Sequence, residues 1–161
     1  MSKISNSIIV SVLLALCLGS LIEASLKIYP CKNVKSLATI KKLDIAKSQN
    51  YPVKLARGEN ATISIDFQTT SKITACKLKI FGELNGKTVP FSAANDDNHC
   101  HESIKELKGK KNFVLLKNKP YSYTFSLPVK EEYPSVSVAI QYHLMFGSKT
   151  ILCFTFPAKI E

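Results

Sequence analysis

Short segments in which apolar and polar residues alternate are the main pattern of this chain. In the segment 61–67, Ile63, Ile65 and Phe67 fall on one face and polar residues on the other. A period of two residues is typical of strands with one buried face. The pattern therefore predicts an all-β protein. The same alternation continues in the segments 75–80, 121–127, 135–144 and 150–156.

Turn signals separate these segments at regular spacing, which is typical of a β-sandwich or barrel. The pair Asn85-Gly86 predicts a hairpin with a type I′ turn. Residues 40–50 fit a strand or a helical turn equally well. Residues 102–112 are strongly charged, and we interpret them as a surface loop, with a short helix capped by Ser103 as the alternative.

The first residues have the pattern of a secretory signal peptide, in which a charged start precedes a short apolar run and then small residues. Lys3 comes before the apolar run 8–18, and we expect cleavage after Ala24. No internal repeat or linker divides the rest. We therefore predict a signal peptide over 1–24 and one domain over 25–161, located outside the cell or in the lysosomal lumen.

The net charge of +10 favours anionic partners, and loss of Lys3 and Glu23 with the signal peptide leaves it unchanged. Arg57 is the one arginine among 22 basic residues. Because bidentate recognition of phosphates and bases prefers arginine, nucleic acid is not an expected partner. The lysines of 105–119 either attract the protein to anionic membranes or form a solvated loop.

Four cysteines remain after Cys17 leaves with the signal peptide. An even count in a small exported domain predicts disulfides, with three possible pairings, and four buried thiols are the alternative. A bond between Cys31 and Cys153 would join residues 122 positions apart, near the two ends of the mature chain. The other two cysteines are Cys76 and Cys100.

The sequence contains few groups that could form a catalytic site. It has no nucleophile elbow, phosphate loop or His-Glu-x-x-His motif. Glu131 and Glu132 are adjacent, so an extended chain would point them to opposite faces. His143 fits a satisfied surface histidine on a strand. We therefore predict a binding protein without catalytic activity or cofactor.

Two polar motifs have alternative interpretations. His99 and His101 flank Cys100 and could bind a metal, but a disulfide at Cys100 would remove its thiolate, and we predict no metal site. Asn60 begins an Asn-Ala-Thr sequon at a turn. In an exported protein this predicts N-glycosylation, and an unmodified loop asparagine is the alternative.

Several segments, taken in order, resemble the ML (lipid-recognition) domain family, and especially its Niemann–Pick type C sterol carriers and their arthropod secreted relatives. They are "YPCKN", "YPVKLARGENATISIDF", "GELNGKTVPF", "YSYTFSLPVKEEYPSVSVAIQYHLMF" and "LCFTFPAKI". The resemblance covers essentially the whole mature chain. It implies an immunoglobulin-like β-sandwich of two antiparallel sheets that holds a lipid in an internal apolar cavity.

The resemblance also assigns residues. It implies that Phe91, Val129 and Tyr133 line the entrance, where Pro128 and Pro134 would hold an apolar gate beside an open sheet edge. It supports a bond between Cys31 and Cys153. Cys76 is unusual for the family, and we interpret Cys76 and Cys100 as a second bonded pair, with two free thiols as the alternative. The family usually has six cysteines and a tryptophan at the position of Tyr142, so this chain departs from it at those points.

The inward-facing apolar residues are candidates for lining the cavity, although each could equally fill an ordinary core. We expect one neutral or single-headed hydrophobic ligand, such as a sterol or a fatty acid, bound by a monomer that contacts anionic membranes transiently. Alternatives are an immune module that binds microbial lipid, a carrier of hydrophobic semiochemicals, and an adhesion sandwich without a cavity. The candidates are Leu55, Ile63, Ile65, Phe67, Leu78, Ile80, Val89, Phe91, Phe125, Val129, Tyr133, Val136, Val138, Ile140 and Phe154.

Overall fold

Strands occupy most of the segments in which the sequence alternates. The structure, a computed structural model, describes residues 27–46, 51–91 and 99–161. The predicted signal peptide lies outside these residues. The strands are β1 (Tyr29–Pro30), β2 (Ala38–Ile45), β3 (Val53–Leu55), β4 (Asn60–Thr69), β5 (Lys77–Leu84), β6 (Lys87–Pro90), β7 (Pro120–Pro128), β8 (Ser137–Phe146) and β9 (Lys149–Ile160), and the helix α1 (His99–Ser103) is followed by a 3-10 turn at Lys105–Leu107.

The strands form two sheets that pack face to face. One sheet has the antiparallel order β1-β9-β8-β5-β6, with β3 beside β9 in parallel, and the other has the antiparallel order β2-β4-β7. Tyr123 on β7 meets Tyr142 on β8 across the gap, with their ring centroids 6.1 Å apart. The predicted all-β sandwich is confirmed.

Rows of apolar side chains fill the middle of the sandwich. On β4, Ile63, Ile65 and Phe67 are at most 1% exposed, while the intervening residues are partly or fully exposed. On β5, Leu78 and Ile80 are completely buried. Burial of one such side chain stabilises the fold by about 1.5–3 kcal/mol. The alternation in the sequence therefore identifies the core-facing rows correctly on these strands.

The segment after α1 is not the surface loop that its charges predicted. Ile104 and Leu107 are buried, and Ile104 forms an isolated antiparallel bridge with Tyr123 at the edge of β7. The carboxylate of Glu106 accepts hydrogen bonds of 3.0 and 3.2 Å from the backbone N–H of Ser122. Two apolar residues three positions apart anchor the segment, so it covers a sheet edge that would otherwise be unpaired.

The structure also bears on three local predictions. The turn between β5 and β6 has positive φ at Asn85 (51°) and Gly86 (73°), as a type I′ hairpin requires, so that prediction is confirmed. The ambiguous segment 40–50 is a strand through Ile45, and its residues 47–50 lie outside the described residues. The short helix near Ser103 begins at His99, and no side chain caps the 3-10 turn that follows.

Two disulfides connect the edges of the sandwich to its core strands. Cys31 follows β1 and is bonded to Cys153 on β9, with a Cα–Cα distance of 5.5 Å. Cys76 precedes β5 and is bonded to Cys100 on α1, with a Cα–Cα distance of 5.9 Å. The first bond ties the two ends of the domain together. The second holds α1 beside the six-stranded sheet.

Candidate ligand-binding site

An apolar pocket of about 260 Å³ opens between the β5–β6 hairpin and the connection from β7 to β8. It lies at what we call the hairpin end of the sandwich, the end that holds the Asn85-Gly86 turn and the end of β7. The residues lining it carry no charged side chain. They are Gly82, Leu84, Val89, Pro90, Phe91, Tyr133, Pro134, Val136, Val138 and Ile160.

Two aromatic rings from different connections meet at this pocket. The rings of Phe91 and Tyr133 have centroids 5.4 Å apart and planes at 86°, an edge-to-face arrangement that adds to simple area burial. The backbone N–H of Phe91 donates to the carbonyl of Ile80 at 2.9 Å, which fixes its ring beside β5. Pro90 and Pro134 flank the pair, so the backbone near both rings is conformationally restricted.

Gly82 makes room for the ring of Phe91. A Cβ atom at this position would lie 2.9 Å from Phe91 Cε2 and 3.0 Å from Val138 Cγ2. Real Cβ contacts are not this short, so any side chain at Gly82 would push into the pocket or displace the ring. A glycine inside a strand often marks such a close approach. Gly82 therefore determines the shape of the pocket wall on β5.

The structure brings some of the predicted lining residues together at this pocket. Phe91, Tyr133, Val136 and Val138 all line it. Val89 lines it as well, on the same face of the sheet as its register partner Gly82, but its side chain is 54% exposed. The reason is that β6 is a short edge strand whose four residues all remain exposed. Val89 lies at the rim of the pocket.

Two other predicted residues lie at a separate depression. Leu55 and Val129 line a space of about 220 Å³ with Asn60 and charged neighbours. The backbone N–H of Val129 donates to the carbonyl of Glu59 at 2.9 Å, which ties it to the loop before β4. Val129 is therefore not brought together with Phe91 and Tyr133. The side chain of Asn60 is exposed, and its glycosylation stays a prediction.

The remaining predicted residues are core residues in this conformation. They lie deeper between the sheets than the pocket, except for Phe154, which also borders a groove beside β1 and β2. A ligand larger than the pocket would have to separate the sheets to reach them. They are Ile63, Ile65, Phe67, Leu78, Ile80, Phe125, Ile140 and Phe154, each at most 6% exposed.

Sequence reasoning missed several lining residues. Gly82 is not apolar and carries no signal in an alternation pattern, and Leu84 lies directly before the turn. Ile160 lies at the very end of β9, where its backbone N–H donates to the carbonyl of Val136 at 2.9 Å. The available signal was the register of the strands, because Gly82 and Leu84 continue the inward row of Leu78 and Ile80.

The lysine-rich segment and the pocket lie at opposite ends of β7. The backbone N–H of Asn118 donates to the carbonyl of Thr69 at 2.8 Å, next to the start of β7, whereas Tyr133 follows its end. A strand of nine residues spans roughly 27 Å between its ends. A surface formed by the lysines would therefore not hold the pocket mouth directly against a membrane. They are Lys105, Lys108, Lys110, Lys111, Lys117 and Lys119.

His143 is half-buried on the outer face of the six-stranded sheet, beside the first disulfide. Its ring nitrogens lie 3.3 and 3.4 Å from Cys153 Sγ, and Phe81 packs edge-to-face against the ring. Cys31, Cys153 and His143 are close enough together to resemble a metal site. The disulfide occupies both sulfur atoms, so the cluster offers no thiolate.

Acid should destabilise the fold through His143. Burial, and secondarily the charge of Lys79, lower the pKa of His143 below its ordinary value of 6.5. As the pH falls, His143 is therefore protonated in the unfolded chain at a higher pH than in the folded protein. The contribution of His143 to stability is fully present above pH 6.5 and decreases as the pH falls toward the folded pKa. We expect His143→Gln to reduce the loss of unfolding free energy between pH 7.5 and pH 5, measured by urea titration. An equal loss in both proteins would contradict this assignment.

The His-Cys-His motif does not form a thiolate site. Cys100 is bonded to Cys76, and His101 is half-buried with its ring edge-to-face on Phe113 at 5.9 Å. The acidic residues 96–97 that could have completed a site lie outside the described residues.

Within the described ranges, no helix is long and apolar enough to cross a membrane.

Two packed sheets with an apolar pocket at one end place the protein among the β-sandwiches. The family model of the ML domain matches residues 25–160. The chain is 32% identical over 119 residues to "NPC intracellular cholesterol transporter 2" of Danio rerio, covering 73% of this chain and 74% of that protein. It is 34% identical over 108 residues to the Drosophila melanogaster homolog a, covering 66% and 68%.

A solved structure has the same fold. The Niemann-Pick type C2 protein from Japanese carpenter ant superposes with a TM-score of 0.70 at 20% identity, covering 84% of this chain and 99% of that chain. The protein described here belongs to the ML domain family, and the resemblance seen in its sequence is confirmed.

Proposed function

We propose that this protein is a soluble carrier that binds one hydrophobic molecule, of the sterol or fatty-acid class, at the pocket beside Phe91 and Tyr133. The observation that carries the proposal is an apolar pocket, free of charged side chains, at the hairpin end of the sandwich. Such a site can shield an apolar ligand from water but lacks the groups that catalysis needs. The ML domain relatives named as intracellular cholesterol transporters support a lipid ligand.

Burial of apolar area is the main source of binding free energy at such a site. A ligand that loses roughly 400 Å² of apolar surface to the protein gains about 10 kcal/mol before association costs. Those costs consume half or more of that gain. The remainder, about 5 kcal/mol or less, corresponds to a dissociation constant of about 0.2 mM or weaker without any ion pair, so micromolar binding requires the ligand to bury more apolar area than this.

The pocket must widen to hold a ligand of this class. Its volume of about 260 Å³ lies just below the roughly 300–1,000 Å³ typical of small-molecule sites. The inner wall consists of Val138 and Ile160, with Ile140 in the next row. Separation of the two sheets along this row would extend the pocket into the core. A large lipid with several chains fits this geometry less well than one sterol or one acyl chain.

Truncation of the aromatic pair should weaken binding of a fluorescent sterol. We expect Phe91→Ala and Tyr133→Ala each to raise the dissociation constant about tenfold, since each removes part of the pocket wall. Leu116→Ala is the matched control, because Leu116 is 44% exposed and adjoins the start of β7, away from the pocket. The measurement is a fluorescence titration. Unchanged affinity in both aromatic variants would show that the sterol does not bind beside Phe91 and Tyr133.

The cellular setting of the carrier is part of the proposal. Two disulfides fit an oxidising compartment, either outside the cell or in the lysosomal lumen.

We propose a monomer that contacts anionic membranes transiently through the lysine-rich segment. Transfer between anionic vesicles should then slow as salt is added, and a salt-independent rate would exclude that contact.

A further inference from the structure

Two tyrosine hydroxyls are buried in the centre of the sandwich without a hydrogen-bond partner among the described residues. Tyr123 and Tyr142 are both 0% exposed, and neither Oη atom makes a hydrogen bond of good geometry, although the hydroxyls of Tyr142 and Ser103 lie close enough to Tyr123 to influence its pKa. Buried hydroxyls are normally paired, because an unpaired polar group loses its bond to water and gains nothing in return. The two hydroxyls could therefore be satisfied by a polar atom of a ligand that enters the sandwich.

The two hydroxyls come from opposite sheets and lie in one small polar region. The ring of Tyr142 stacks on the ring of Phe154, with centroids 4.9 Å apart. The ring of Tyr123 packs edge-to-face against the ring of Tyr142. Burial raises the pKa of Tyr123 to about 12, against smaller lowering effects of the neighbouring hydroxyls of Tyr142 and Ser103. Both phenols are therefore neutral O–H groups that can donate to an oxygen atom.

This polar region lies in line with the pocket. On β8, Val138 lines the pocket, Ile140 forms the next inward row, and Tyr142 forms the row after that. Tyr142 lies four positions after Val138 on this strand, which corresponds to roughly 13 Å. A ligand that widens the pocket along these rows would meet apolar side chains first and the two hydroxyls at its leading end.

We propose that Tyr123 and Tyr142 bind a neutral oxygen at the buried end of the ligand, so that the preferred guest is a hydrocarbon that carries an alcohol or carbonyl group. This rests on the proposed function. A carboxylate is not the expected group, because the buried part of the described chain contains no lysine or arginine to balance its charge. A guest oxygen would satisfy both phenols, whereas a pure hydrocarbon would leave them unpaired.

The test compares two ligands of matched size, decan-1-ol and undecane, by displacement of a fluorescent sterol. We expect wild type to bind the alcohol about five- to tenfold more tightly. The double variant Tyr123→Phe/Tyr142→Phe should lose this preference while still binding undecane. Tyr121→Phe is the matched control, because Tyr121 also faces inward from β7 but its Oη already accepts a 2.7 Å hydrogen bond from the backbone N–H of Leu116.

Thermal unfolding of the ligand-free proteins gives a second readout. Removal of unpaired hydroxyls should leave the melting temperature of the double variant unchanged or raise it, while Tyr121→Phe should lower it. A clear fall in the double variant would show that water or another residue already pairs the phenols, which overturns the inference. Equal affinity for both ligands in wild type, or a preference that survives in the double variant, overturns it as well. Failure of wild type to take up the sterol, the alcohol or the alkane would instead reject the proposed function.

Discussion

Replacement of Gly82 by leucine is expected to reduce binding of a fluorescent sterol by at least about 100-fold, with the fold retained. A Cβ atom at this position already meets Phe91 Cε2 at 2.9 Å and Val138 Cγ2 at 3.0 Å. The rest of the leucine side chain must enter the open pocket, because the strand leaves it no other direction. It would occupy the volume that the ligand needs and would resist separation of the sheets.

The effect on stability should be much smaller than the effect on binding. The added side chain fills space that is open in the free protein, so its apolar burial offsets part of the strain from crowding. Overpacking of this kind costs about 1–3 kcal/mol. Gly82→Ala should have an intermediate effect, since its Cβ can be accommodated if the ring of Phe91 turns slightly.

Glu83→Leu is the matched control for this substitution. Glu83 is the next residue on β5, so its side chain points to the outer face, where it accepts a hydrogen bond of 2.9 Å from the side chain of Gln141. The same leucine one position along should leave the dissociation constant unchanged. Fluorescence titration measures binding, and urea unfolding shows that both variants are folded. Normal binding by a folded Gly82→Leu variant would mean that the ligand does not use this pocket.

The sequence could predict the inward rows because each depends on local information. Ile63, Ile65 and Phe67 are apolar at every second position, and burial of such a face does not depend on which strand lies opposite. The Asn85-Gly86 turn is similarly local, because both residues tolerate positive φ. The arrangement in two sheets, by contrast, followed from the family resemblance, and the order of the strands within them was not predicted.

The candidate site was less predictable because it depends on contacts between distant segments. How far Val89 is buried depends on its position in a four-residue edge strand. The importance of Gly82 follows from the approach of Phe91 and Val138, and the inward register of residue 82 does not by itself indicate either contact. Charge was also misleading. The lysines around Ile104 and Leu107 suggested a surface loop, although both of these side chains are buried. The residues that shape the pocket are therefore those that a one-dimensional pattern describes least well.

Removal of the Cys31–Cys153 disulfide is expected to cost about 5 kcal/mol of unfolding free energy as an upper estimate, since it joins residues 122 positions apart. That loss is comparable to the total stability of many domains, about 5–15 kcal/mol. The variant Cys31→Ser/Cys153→Ser should therefore be partly unfolded without urea. Urea titration of the purified variant at 25 °C, followed by tyrosine fluorescence, measures the change.

The second disulfide provides the comparison, because it closes a much shorter loop. Cys76 and Cys100 are 24 positions apart, and the same relation gives about 3.5 kcal/mol for Cys76→Ser/Cys100→Ser. The loss should be smaller than in the first variant, and the variant should still bind sterol, because neither residue borders the pocket. If this variant were the less stable of the two, chain entropy would not govern the effect. The anchoring of α1 and the buried Ile104 against the sheet edge would then contribute more to stability than closure of the long loop.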